Sequence, residues 1–421
     1  MTSPGRTRGW LHPAILAATG LSMASGFASF GVTAALGDVA TAFGQPDPEG
    51  SIAVMAGLPG TTVGLGLAVI RLASLAALPL AGLADRAGRR RVILWCCAVG
   101  LAMTVCTAAS PSFWWFVALF ALARPLLSAT NALAAVIAAE ETRSVDRSKA
   151  IALVTAGYAF GAGLTAMVRL VIPEAYGFRG LFAMVAVPLL LVPLLGRSLR
   201  ESSQFTELQV TAPPTRPRLG GIHRDLRGRL GLLCVLHLGY GFVTGPVTTN
   251  LFLYGESILG MSSEAMAAIF VAAAPTGLLG LVVGRWAADR FGRRISAGIA
   301  MSATAAAGIV TYGGAPLGLA VGYVAGIVAG AAYAPAAGAL DAELFPTSQR
   351  GTAAGWITAS NIVGAVLGLV AFGLLVDAYE AFPPAAVTIA VPVILLAALY
   401  TRVPETRGME LHESAPELPA G

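Results

Sequence analysis

Two short stretches hold the most conspicuous chemistry of this chain: Asp85-Arg86-Ala87-Gly88-Arg89-Arg90, and Asp289-Arg290-Phe291-Gly292-Arg293-Arg294. A carboxylate beside several guanidiniums can form charge-assisted pairs or cap the first turn of a helix. Contacts of that kind latch one packing arrangement and release when it changes. A second group, Arg71, Arg124 and Arg169, stands alone in apolar sequence. An isolated guanidinium suits bidentate capture of a carboxylate or phosphate.

Those residues need elements to position them, and composition says which. The chain has 421 residues, 56% of them hydrophobic and only 12% charged, with a mean hydropathy of +0.75. Soluble proteins are about a quarter charged, so this chain belongs in a membrane. A spanning helix takes about 20 apolar residues. Twelve such runs are read, at 13-37, 58-84, 92-109, 113-139, 149-172, 180-199, 230-254, 263-287, 295-313, 316-340, 351-375 and 384-402. They do not alternate as barrel strands do. The fold class is therefore an all-α membrane protein with twelve transmembrane helices.

Of the 27 Lys and Arg residues, 23 fall in the even-numbered connections and the termini. The positive-inside rule then places both termini in the cytoplasm, and the protein in the cell membrane with the bilayer as its partner. The net charge of +5 is topology, with no nucleic-acid footprint. Trp10, Trp95, Trp286 and Trp356 fall near one set of helix ends and Trp114 and Trp115 near the other, as interfacial anchors do.

The two opening motifs lie 204 positions apart. Glu140 with Arg147 recurs as Glu343 with Arg350, 203 positions on. Topology constrains the sign of charge in a loop but not a motif in register, so the chain is a duplication. The expected division is an N-terminal six-helix half over 1-199, a linker over 200-229, a C-terminal half over 230-402 and a tail over 403-421. Parallel six-helix repeats are a transporter architecture. Asp85, Arg86, Gly88, Arg89, Arg90, Glu140 and Arg147, with Asp289, Arg290, Gly292, Arg293, Arg294, Glu343 and Arg350, are read as gating residues.

Charge inside a membrane costs ~2.5 to 3.5 kcal/mol per residue and marks function. At 1.5 Å per residue, Arg71 and Arg124 lie roughly 16 to 20 Å deep, near the middle of a ~30 Å core. The repeat places Ala274 or Pro275 and Ile327 or Val328 at the matching points of the second half, so these arginines are not shared scaffold. They are assigned to binding of an anionic solute, with neutral sugar as the rival. Asn131 is two turns from Arg124 on the same face. Asn131, His237, Tyr240, Asn250 and Asn361 complete the candidate binding set. Asp38 is expected to pair with Arg169. Asp38 and His237, whose imidazole titrates near neutrality, are the proton-coupling candidates. Cys96, Cys97, Cys106 and Cys234 fall within apolar runs without metal-ligand spacing and read as buried small residues. Gly157-x-x-x-Gly161-x-Gly163 reads as close helix packing. No phosphate-cradling loop appears and no catalytic constellation, so neither cofactor, metal nor enzyme activity is expected.

The loop motifs resemble those of the major facilitator superfamily over essentially the whole chain. Glu343-Leu344-Phe345-Pro346-Thr347, Arg350-Gly351-Thr352-Ala353-Ala354-Gly355, Pro404-Glu405-Thr406-Arg407-Gly408 and Leu199-Arg200-Glu201-Ser202 are similar to its sugar porter and metabolite:proton symporter branch. The resemblance implies alternating access of two halves by a monomer, moving a small organic solute with protons. There are departures. Gly26-Phe27 is followed by Ala28 where proton-coupled members of that branch commonly carry a carboxylate, and Arg285 replaces the small residue that opens the second motif. Export by proton antiport is accordingly the alternative, and a non-transporting membrane sensor the alternative of another class.

Overall fold

A computed structural model describes residues 9, 11–44, 54–55, 57–142, 146–199 and 223–409. Among them twelve helices are long and apolar enough to cross a bilayer: α1 Pro13–Ala34, α2 Gly60–Ala84, α3 Arg89–Ala109, α4 Phe113–Glu141, α5 Lys149–Val171, α6 Gly177–Ser198, α7 Arg224–Thr249, α8 Ser263–Phe291, α9 Arg293–Thr311, α10 Pro316–Glu343, α11 Gln349–Tyr379 and α12 Phe382–Arg402. The number read from the sequence is the number present; several bounds coincide and the others have moved by a few residues. Two of those shifts matter. Helix α7 stops at Thr249, with Asn250 as its C-cap, five residues before the expected end. Helix α10 runs to Glu343 and takes in Asp341, which the sequence reading left outside.

The strand content is slight. Val54–Met55 (β1) and Leu58–Pro59 (β2) form an antiparallel ladder of two residues each, leading into α2.

The described residues divide into two compact units, Met1–Phe43 with Val69–Pro217, and Gly44–Ala68 with Arg218–Gly421. The dividing line crosses α2, whose opening turns group with the second unit. There the Asp377 carboxylate on α11 accepts the Gly60 and Thr61 amides at 2.7 Å each, and the Thr61 hydroxyl. A helix start without a local Ser or Asp cap is thereby capped from a distant helix, and the carboxylate is favoured there by the positive end of the helix dipole.

Inside the first unit, α1 packs tightly along α5. A Cβ on Gly161 would lie 2.0 Å from the Met23 carbonyl oxygen, so only glycine permits the approach. Gly163 faces open space, which leaves Gly157 and Gly161 to carry the close packing. In the second unit α7 meets α11 in the same manner, with a Cβ on Gly368 falling 1.9 Å from the Phe242 carbonyl oxygen. Without a hydrophobic drive between helices in lipid, such close packing and interhelical hydrogen bonds hold each unit together. The Ser22 hydroxyl donates to Asn131 Oδ1 at 2.7 Å, Ser25 to the Leu127 carbonyl at 2.7 Å, and Thr165 to the Phe27 carbonyl at 2.8 Å. They tie α1 to α4 and α5.

Trp95, Trp114, Trp115, Trp286 and Trp356 are all more than half exposed; Trp10 lies outside the described residues. Cys96 and Cys97 are buried, but Cys106 is exposed: the sequence reading misplaced it, because in a membrane an exposed helix face can be as apolar as a core.

Candidate transport sites

The two arginine motifs form one structure, built twice. After α2 the chain turns at Gly88 with φ 95° and starts α3 at Arg89; after α8 it turns at Gly292 with φ 98° and starts α9 at Arg293. Positive φ with extended ψ is a conformation that essentially only glycine adopts. Each turn aims an arginine at a carboxylate on the helix two further on: Arg89 pairs with Glu140 on α4, and Arg293 with Glu343 on α10. All four side chains are at most about 20% exposed, so the charges meet where solvent screening is weak.

The second copy carries an extra part. The Glu405 carboxylate accepts the Arg293 and Arg294 amides at 2.9 and 3.3 Å, and those of Thr406 and Arg407 at 3.1 Å each. It caps α9 at its dipole-positive end while folding the segment after α12 against it. Arg407 donates to the Arg290 carbonyl at 2.9 Å. Arg350 donates to the Phe345 carbonyl, and Arg285 and Asp289 form a long, exposed contact at 4.0 Å. In the first unit Arg90 donates to the Gly196 carbonyl at 3.1 Å. The side chains of Asp85, Arg86 and Arg147 lie outside the described residues, as do residues 200–202, so the gating roles expected of them have no geometry to set beside them.

The first unit also contains the two deep arginines. Arg124 donates to the Ser29 carbonyl at 3.3 Å. Arg71 is within electrostatic reach of Arg124 and of the Tyr158 hydroxyl on α5. Among the described residues neither arginine faces a carboxylate. Two positive groups that repel each other would both be stabilised by a nearby anion. Tyr158 had no marker in the sequence: a lone tyrosine in a spanning helix is usually packing. Asn131 is occupied by the hydroxyl of Ser22. Asp38 and Arg169 form a bidentate pair at 2.9 and 3.1 Å, so Asp38 faces a fixed positive charge.

The remaining candidates gather in the second unit. His237 Nε2 on α7 lies 3.2 Å from Asp341 Oδ1 on α10, with both side chains largely buried. Tyr240 stacks on Tyr333 with ring centres 4.1 Å apart, and Tyr333 shares a 2.7 Å hydrogen bond with Tyr400. The Asn361 amide donates to the His237 carbonyl at 3.2 Å, joining α11 to the same level of α7. Asn250 is set apart: its buried amide donates to the Pro246 carbonyl of its own helix at 3.1 Å, a helix-ending contact. Asp341 is the group that sequence reasoning missed. A signal was available in the repeat, where Ala138 stands two residues before Glu140 as Asp341 stands two before Glu343.

Twelve spanning helices, an arginine–glutamate pair repeated in two units and buried polar groups within each fit a membrane transporter. The Major Facilitator Superfamily profile matches residues 16–315 and 265–419, and the chain belongs to that family. It is similar to a protein of Haemophilus influenzae named provisionally for metabolite transport, with 28% identity over 353 residues, 78% of this chain and 83% of that one. It is likewise 28% identical to a protein of Cupriavidus pinatubonensis named provisionally as a 4-methylmuconolactone transporter, over 66% of this chain and 67% of the relative. Among solved structures, a D-xylose-proton symporter superposes with a TM-score of 0.74 at 19% identity, covering 94% of this chain and 98% of that one. A bacterial homologue of the lysosomal transporter Spinster gives 0.70 at 17% identity, over 92% and 96%. At these identities the likeness is one of fold. The protein is a multi-pass transporter of small solutes and not an enzyme.

Proposed function

We propose that this transporter carries a small carboxylate-bearing organic solute across the cytoplasmic membrane together with protons, as a monomer with both termini in the cytoplasm. The six-helix halves over 1-199 and 230-402 are the bodies that alternate access, and the Arg89–Glu140 and Arg293–Glu343 pairs are their latches. The observation that carries the solute class is the pairing of Arg71 with Arg124, deep in the spanning region and unmatched by a carboxylate among the described residues. An unneutralised positive pair there is costly unless something negative visits it. The Tyr158 hydroxyl adds a donor for a second oxygen of such a solute. The name of the Cupriavidus relative supports the reading, since a methylmuconolactone is itself a carboxylic acid.

The test is uptake into proteoliposomes of a panel of carboxylic acids, including 4-methylmuconolactone, beside neutral sugars, with and without an imposed pH gradient. Accumulation of one or more acids driven by inward protons is expected. Uptake confined to neutral sugars, or an outward preference under the same gradient, would sink the proposal.

A further inference from the structure

We infer that His237 and Asp341 together form the proton-binding pair of this transporter, with Asp341 the coupling residue that the imidazole alone cannot replace. The inference rests on the proton-coupled reading above and assigns its proton to particular atoms.

Several carboxylates in and beside the spanning helices differ in what they face. Glu140, Glu343 and Asp38 each meet a guanidinium, a group that stays protonated at any physiological pH. Asp377 accepts backbone amides at a helix start. A carboxylate so held keeps one charge throughout a transport cycle. Asp341 instead meets an imidazole, a group that has both a neutral and a protonated form. Of the pairs named here it is the one in which both members can change charge. With one proton the pair is neutral overall; with none or two it carries net charge in a poorly solvated place, which is costly. Gain or loss of that proton therefore changes what surroundings the pair tolerates.

Nε2 and Oδ1 approach to 3.2 Å without the alignment of a hydrogen bond, so the contact is electrostatic. The titratable groups facing it are Cys234 and Tyr240 on α7, Tyr333 on α10 and Tyr400 on α12. From α9, Thr304 bonds the Tyr240 hydroxyl; from α11 come Asn361 on the His237 carbonyl and Ser360 on Cys234. None of these supplies a fixed positive charge. The hydrogen-bonded Tyr333 and Tyr400 hydroxyls give a proton a polar route beside the pair. Asn361 holds the backbone of His237, so the pair sits beside the tight α7–α11 contact. The anion site lies in the first unit and this pair in the second, so one negative solute with one proton loads both units without adding net charge.

Two measurements test the assignment. The full-length protein, labelled with 15N-histidine in nanodiscs, contains four histidines, and His237→Asn identifies the His237 signals. Proton binding by His237 is expected to weaken at least tenfold in Asp341→Asn. In proteoliposomes, with the carboxylic acid that the wild type accumulates, the ratio of gradient-driven accumulation to gradient-free solute exchange is expected to fall at least tenfold in Asp341→Asn and to recover in part in Asp341→Glu. Unchanged proton binding at His237, or an unchanged ratio, overturns the assignment. The NMR measurement needs no solute. A wild type that carries sugars instead of acids therefore refutes the solute class alone, whereas one that shows no response to a pH gradient refutes the coupling and this pair with it.

Discussion

At the scale of single residues, the chemistry rests on which charges have partners. Arg124 and Arg71 lie within each other's field, without a carboxylate among the described residues. Replacing Arg124 with alanine should weaken binding of a carboxylate solute by tenfold or more, about 1.4 kcal/mol, in a direct binding assay. Unchanged affinity would mean that the arginine braces α1 through the Ser29 carbonyl and nothing else. Arg71→Lys keeps the charge but loses the planar fork; the expected outcome is an intermediate affinity. The arginines were legible in the sequence because an ionisable group amid apolar residues is costly, and the repeat marked them as unshared. Asp341 escaped for a local reason. Apolarity locates the end of a helix only to within a turn, and the residue sits in the last turn of α10, where a carboxylate looks like the start of a loop. Asn250 was misleading for the converse reason: a polar residue near a helix end serves the backbone as readily as a solute.

At the scale of elements, glycine and glutamate make the turn into α9. The positive φ of Gly292 and its closeness to Glu405, 2.5 Å from where a Cβ would stand, predict that Gly292→Ala costs about 1 to 3 kcal/mol, seen as a lowered unfolding temperature in nanodiscs. Glu405→Gln keeps the shape and removes the charge. It should cost about 1 kcal/mol, the usual worth of a helix-capping group, with the loss reduced at high salt. A Gly292→Ala protein as stable as the wild type would show that the turn can be rebuilt without strain. The motif announced this turn in the sequence. Its partner Glu405, over 100 residues away, was flagged only by family resemblance, since nothing in local pattern says which helix start a distant carboxylate will cap.

At the scale of the molecule, duplication is the governing fact. Apolar runs gave the helix number, and the offset between motifs gave the repeat, because both are properties of the chain alone. The grouping of the opening turns of α2 with the second unit was not readable that way, since it comes with contacts across more than 300 residues, such as Asp377 on the Gly60 amide and Gly64 against Leu369. The matched ion pairs belong to different units, so their contributions should be independent. Losses of stability in Glu140→Gln and Glu343→Gln are expected to sum in the double variant to within about 0.5 kcal/mol. A clear departure from the sum would mean that the two ion pairs share strain.

The tryptophans have a spectroscopic corollary. Five of the six ring systems stand on exposed faces of spanning helices, and none of the described site residues is a tryptophan. Intrinsic fluorescence should therefore be blind to solute, and quenched strongly when the protein is placed in bilayers of brominated lipid. An emission change on adding solute without lipid exchange would show that an indole has moved from lipid into protein. Engineering a tryptophan at Tyr158 would supply the reporter that the natural chain lacks.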